Sequence, residues 1–200
     1  MPVDLRPKEF STVKYLISAG SPKSLPLLAN KEIMFIGRSN SGKSSLINAL
    51  VNCKIAKTGR TPGRTQQINF FQLQSQDCLV DCPGYGFAAV SKSLKAQWPG
   101  LIKACLGRSN LVGLIWIMDI RHPLQKADLA VVQSFLPAPC PVHVVLNKSD
   151  KSKVQDRAKA LNLVAKKLAE FDGVITLQEF SASKKTGLQK LDQVLLSWLQ

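Results

Sequence analysis

Short apolar runs alternate along this chain with stretches in which apolar residues return every three or four positions, the pattern of buried strands followed by amphipathic helices. Residues 31–36 read as a buried strand and 45–51 as a helix with Leu46, Ile47, Leu50 and Val51 on one face. Strands are expected at 68–73 and 77–80, joined by a hairpin turn at Gln74 to Asp77. Further on, Leu94, Trp98, Leu101, Ile102, Cys105 and Leu106 share one helical face, which Pro99-Gly100 should break or bend. The run 111–119 is almost wholly apolar, as a central strand covered on both sides must be, and 124–136 has helical spacing. A strand at 142–146 precedes a helix at 151–171, whose expected seam is Val154, Ala158, Leu161, Ala165, Leu168 and Phe171. The last strand falls at 174–180, and Leu188, Leu191, Leu195 and Trp198 line a closing helix.

That alternation predicts an α/β fold: a doubly wound, mostly parallel six-stranded sheet with helices on both faces. Residues 1–30 form an N-terminal arm and link, with 10–19 loosely alternating enough for an edge strand, and 31–200 form one domain.

The apolar pattern also shows where chemistry can sit. Directly after the first buried strand, Gly37-Arg38-Ser39-Asn40-Ser41-Gly42-Lys43-Ser44 fits GxxxxGK[ST]. Glycines there let backbone N–H groups crowd round phosphate oxygens, the lysine reaches the β- and γ-phosphates and the serine hydroxyl takes Mg²⁺. The helix N-terminus behind the loop adds partial positive charge. The polar segment 53–67 contains Thr61-Pro62-Gly63-Arg64-Thr65, which has no apolar anchor of its own and needs a ligand to order it. At the end of the strand expected at 77–80 stands Asp81-Cys82-Pro83-Gly84, where a carboxylate can reach the metal's outer shell and a glycine N–H the γ-phosphate. Asn147-Lys148-Ser149-Asp150 ends a later strand. Asp150 can accept two hydrogen bonds from guanine's N1–H and 2-amino group, a donor pair that adenine lacks. The Ser181 and Ala182 amides are placed to meet guanine O6.

Charge changes the picture again. Lys plus Arg outnumber Asp plus Glu by 27 to 13, a net +14 that exceeds what a nucleotide needs and points to a polyanion, nucleic acid before membrane. Lys92, Lys95, Lys103, Arg108, Lys184 and Lys185 flank the candidate loops and are the expected phosphate contacts. The five cysteines form no CxxC pair and read as reduced thiols of a cytosolic protein. No run of 18 apolar residues and no apolar leader occurs, so neither export nor anchoring in a membrane is expected.

The wording GRSNSGKSSLIN, TPGRTQQINFF, DCPGYGFA, MDIRHPL and NKSDK closely resembles the EngB-type family of bacterial ribosome-assembly GTPases, over nearly the whole chain. That resemblance implies a monomeric, cytoplasmic, Mg²⁺-dependent GTP-binding switch that acts on the large ribosomal subunit precursor, in a family also linked to cell division and septation. By motif, nucleotide contacts fall on Gly37 to Ser44; on Gly63, Arg64, Thr65, Gln66 and Gln67; on Asp81, Cys82, Pro83 and Gly84; on Asn147 to Asp150; and on Phe180, Ser181 and Ala182. Ser44 and Thr65 would hold Mg²⁺, and Lys43, Thr65 and Gly84 would serve GTP hydrolysis. The residue after Gly84 is Tyr85, which cannot orient water as a glutamine does, so slow hydrolysis and a packing role for Tyr85 are expected. In related potassium-stimulated GTPases an asparagine at the place of Asn40 helps hold K⁺; here a K⁺ ligand and a loop-bracing side chain are equal readings. The alternative function is a GTP-dependent switch at a membrane or in a filament.

Overall fold

The computed structural model describes residues 7–27, 29–57, 67–86, 100–131 and 138–200, with the backbone alone for 132–135. Strands β1 (Val13–Ala19), β2 (Glu32–Gly37), β3 (Ile68–Leu73), β4 (Cys78–Asp81), β5 (Leu111–Asp119), β6 (Val142–Asn147) and β7 (Ile175–Glu179) form one sheet in the order β1-β3-β4-β2-β5-β6-β7. Helices α1 (Lys43–Leu50), α2 (100–106), α3 (Lys126–Phe135), α4 (Val154–Leu168) and α5 (Leu188–Leu199) cover it.

Residues β2 and β5 are apolar almost without interruption because helices bury both of their faces. Alternation sorts their side chains. Ile33, Phe35, Ile115 and Ile117 pack with Leu46, Ile47 and Leu50 of α1 and Leu191 and Leu195 of α5. Met34, Ile36, Trp116 and Met118 face the other way, against Leu101, Ile102 and Cys105 of α2 and Ala160, Val164 and Leu168 of α4. The doubly wound expectation holds, and the closing-helix seam is where the spacing put it.

The sheet has seven strands rather than six, because the arm contributes β1, paired antiparallel with β3 from Val13↔Leu73 to Ala19↔Ile68. A register shift between Tyr15 and Ile17 leaves Tyr15, Leu16 and Ile17 exposed, which blurred the alternation in the sequence.

Helix α4 is rotated from its expected seam. Ala160, Val164 and Leu168 are buried, whereas Val154, Ala158 and Ala165 are exposed. Apolar residues occur on more than one side of this helix, so spacing alone could not choose the face.

Arg108 also departs from expectation. Its Nε and one terminal nitrogen meet both oxygens of Glu32, each at 2.7 Å, and the same nitrogen reaches the Pro26 carbonyl at 3.1 Å. Both side chains are buried, so Arg108 ties β2 to the link and is not a surface phosphate contact. Lys103, Lys184 and Lys185 are exposed; Lys92 and Lys95 lie outside the described residues.

Strands β2, β4, β5 and β6 run parallel, so Gly37, Asp81, Asp119 and Asn147 arrive together at one carboxyl edge. Such an edge is where doubly wound sheets bind ligands.

Candidate functional site: a phosphate cradle joined to a base-reading loop

The loop after β2 is shaped by close approaches. A Cβ on Gly37 would lie 2.5 Å from the Ile117 carbonyl oxygen, and one on Gly42 only 2.2 Å from Asn147 Nδ2. Gly42 also has φ +95° and caps α1, so the loop can turn back over the helix N-terminus only with glycine there. Lys43 opens α1 and is buried, with Nζ 3.1 Å from Asp81 Oδ1; Ser44 donates its hydroxyl to Asp81 Oδ2 at 3.2 Å. Asp81 thus gathers the lysine and the serine of the phosphate loop at the end of β4.

Gly84 sits hard against this loop, since a Cβ there would be 2.7 Å from Ser39 Cα. The Ser39 N–H donates to the Tyr85 carbonyl at 2.9 Å, and the Tyr85 N–H to the Gly37 carbonyl at 3.3 Å. The Tyr85 side chain points into the core, as its packing role required.

The base side is organised by Asn147, 1% exposed. Its Nδ2 donates to the Ser41 carbonyl at 3.0 Å, while its Oδ1 accepts the Lys148 N–H at 2.8 Å and the Ala182 N–H at 3.2 Å. Lys148 has φ +67°, and its Nζ donates to the Asn40 carbonyl at 2.6 Å and lies 3.0 Å from Asp119 Oδ2. Arg121 clamps Asp119 from the other side, Nε to Oδ1 at 3.0 Å and a terminal nitrogen to Oδ2 at 2.7 Å. Burial pushes the Asp119 carboxyl up, yet the bonds from Arg121 and Lys148 outweigh it and hold the acid well below the usual carboxylate range. Asp150 accepts the Ser181 hydroxyl at 2.6 Å, which keeps it ionised and fixes its orientation. An ionised, oriented carboxylate is what a guanine edge demands.

Some expected contacts have other work. The Ser181 N–H is committed to the Thr186 carbonyl at 3.1 Å, and it is its hydroxyl that meets Asp150. Cys82, Pro83, Ser149 and Phe180 have buried side chains and shape the loops from behind. Gln67 is exposed at the start of β3, on the same edge because β3 runs antiparallel to β4 with Asn69 opposite Asp81. Gly63, Arg64, Thr65 and Gln66 lie outside the described residues. Asp119 and Arg121 carry no role that residue type alone reveals; their one signal in the sequence is a charged residue closing an apolar run at the ligand edge.

A glycine-shaped loop at a helix N-terminus and an oriented carboxylate, strapped together by one asparagine, have the form of a phosphate-loop GTP-binding domain, and comparison with known proteins agrees. A family model described as "50S ribosome-binding GTPase" matches residues 32–148. The probable GTP-binding protein EngB of Azoarcus sp. (strain BH72) is 43% identical over 193 residues, covering 95% of this chain and 92% of the relative. That of Coxiella burnetii (strain RSA 493 / Nine Mile phase I) is 42% identical, covering 96% and 94%. Among solved structures, a probable GTP-binding protein EngB superposes with TM-score 0.66 at 25% identity, over 84% of this chain and 97% of that one. Era, crystallised with MgGDPNP and nucleotides 1506–1542 of 16S ribosomal RNA, shares the fold at TM-score 0.69 and 22% identity, over 86% of this chain and 57% of Era. The chain belongs to the EngB-type GTP-binding proteins of the ribosome-binding GTPase family.

Proposed function

We propose that this protein is a slow GTP-hydrolysing switch in assembly of the large ribosomal subunit, working in the cytoplasm as a monomer and serving normal cell division and septation. The observation that carries the reading is the family match over 32–148, whose description names 50S ribosome binding. A net charge of +14 supports it, since rRNA phosphates are the polyanion such a surface would meet.

Loop amides at the N-terminus of α1, around Gly42, Lys43 and Ser44, and the ammonium of Lys43 receive the phosphates, while Asp150 reads the guanine edge and Lys148 and Asn147 hold the two subsites at a fixed distance. In this arrangement the Lys43 ammonium serves the β- and γ-phosphates, and Gly84 offers its N–H to the γ-phosphate. Asp81 Oδ1 is buried and, among the described residues, accepts no hydrogen bond, only the approach of Lys43 at 3.1 Å, so an acceptor beside Ser44 stays available. That donor set suits Mg²⁺, held by Ser44 and Thr65 with Asp81 behind; bound there, the ion neutralises phosphate charge. Hydrolysis is slow because Tyr85 is buried at the position from which a side chain would orient water. The Asn40 side chain is exposed and makes no hydrogen bond among the described residues, which favours a K⁺ ligand over a loop brace.

Sucrose-gradient sedimentation with ribosomal subunits, in GDP and in a non-hydrolysable GTP analogue, tests the proposal. Co-migration with the large subunit in one nucleotide state is expected. Migration at the top of the gradient in both would refute it, and flotation with lipid or light scattering with GTP would favour a membrane or filament switch.

A further inference from the structure

Tyr85 follows Gly84 directly, and its side chain belongs to a buried polar chain that the nucleotide loops do not require. Trp116 Nε1, a donor only, gives to the Tyr85 hydroxyl at 2.7 Å. The hydroxyl has one proton, and it passes that proton's bond to Asp128 Oδ1 at 2.9 Å. Asp128 is fully buried in α3. Its other oxygen accepts the Gln125 N–H at 2.9 Å and stands 3.4 Å from Nε of Arg38, whose terminal nitrogen donates to the His122 carbonyl at 3.1 Å.

Arg38 is itself a phosphate-loop residue, so the chain closes on the site from two directions. One runs through the Arg38 side chain. The other runs through the Tyr85 backbone, bridged to Gly37 and Ser39. Gly84 lies between them, and the gap that would hold its Cβ is already filled by Ser39. Moving the Gly84 N–H therefore means breaking a bridge, a buried hydroxyl bond or both, each costly in a low-dielectric interior.

We propose that Asp128 is a positioning residue for the γ-phosphate: through the Tyr85 hydroxyl and Arg38 it fixes where the Gly84 N–H stands over the phosphate loop, and so sets the preference for triphosphate over diphosphate. The inference rests on the GTP-binding reading. GDP has no γ-phosphate for Gly84 to meet, so displacing Gly84 costs the triphosphate alone. A substitution acting only through general stability would weaken both nucleotides together.

Asp128→Asn keeps the volume but turns a donor toward either the Gln125 N–H or the Tyr85 hydroxyl and removes the charge beside Arg38; Tyr85→Phe removes the hydroxyl. Equilibrium titration with GDP and with a non-hydrolysable GTP analogue is made on both variants, on the double variant and on the parent, with folding checked by circular dichroism. Each single variant should lose about tenfold in analogue affinity while GDP affinity changes by less than about twofold, and the double variant should be no worse than the weaker single. Equal losses for both nucleotides, no loss, a gain for the analogue, or additive losses would overturn the proposal. Should Tyr85→Phe fail to fold, Asp128→Asn alone decides by the same readings. If the parent protein bound neither guanine nucleotide, the GTP-binding reading itself would fall; parent binding with unselective variants overturns only the role of Asp128.

Discussion

Arg108 and Glu32 form a buried two-pronged ion pair, both contacts at 2.7 Å, at the amino end of β2 and so at the edge of the sheet opposite the ligand loops. A guanidinium that also reaches the Pro26 carbonyl and lies over the Phe70 ring, 5.8 Å from its centre, is a structural tie. Arg108→Ala leaves a carboxylate buried without its partner, so unfolding in urea should show a loss of about 3–5 kcal/mol. Ribosome association of the folded fraction should not change. Charge reversal at Lys103, Lys184 and Lys185 should do the opposite: leave the urea midpoint alone and weaken association, with a shallower dependence on salt.

Asp150→Asn should exchange guanine for xanthine. The Ser181 hydroxyl holds Asp150 ionised, so the parent presents two acceptors to the base, whereas the amide presents a donor that suits xanthine's 2-oxo group. Loss of a charged, paired contact should lower GTP affinity by on the order of a thousandfold. Competition by XTP against a fluorescent guanine nucleotide reads the exchange directly; unchanged selectivity would exclude Asp150 as the base reader.

Stability should fall on mild acidification through His143. Burial leads in pushing its pKa from 6.5 down to about 4. Gln178 donates through Nε2 to the Gly187 carbonyl at 2.9 Å, which turns its Oε1 to His143 Nε2 at 3.0 Å; that nitrogen carries the proton, and Nδ1 accepts from the Thr176 hydroxyl at 2.6 Å. The folded-state pKa is the lower one. The unfolded chain therefore takes up a proton first, and the contribution is whole above pH 6.5 and lost as pH falls toward 4, in total on the order of 3 kcal/mol. Asp119 and Asp150 add losses that begin only as the unfolded chain's carboxyls take up protons in the ordinary carboxylate range and continue below it. Urea midpoints across pH 4–7 should slope for the parent and flatten in that window for His143→Gln.

GTP turnover should be faster in KCl than in NaCl at equal ionic strength, and Asn40→Ala should abolish the difference. A monovalent cation held by Asn40 would supply positive charge of the kind that phosphoryl transfer calls for. The Lys148 bond uses the Asn40 carbonyl and leaves the side chain available. Equal rates in the two salts would remove Asn40 from the list of ligands.

The fold was legible because its central strands are nearly pure apolar runs and each ends at a motif whose residue types have one physical use. Where physics allowed two answers, sequence could not choose. Val154, Ala158 and Ala165 were as well spaced for burial as Ala160, Val164 and Leu168, and only packing against β6 and β7 separates them. Arg108 looked like any surface cation because its partner is 76 residues away in the chain. The same distance in sequence concealed Asp128 behind Tyr85, 43 residues apart, although the burial of Tyr85 itself followed from its being unable to do a glutamine's work.

Asn147 joins Ser41, Lys148 and Ala182, with the donor and acceptor of its side-chain amide both engaged. That side of the site is braced by three hydrogen bonds, so capture through it should differ little between nucleotides that share a base. Residence time is where they can differ. The protein's timing would then be set at departure, by how long the phosphate end is held, and an exchange partner, to shorten that time, must loosen the phosphate loop while leaving the base loop intact.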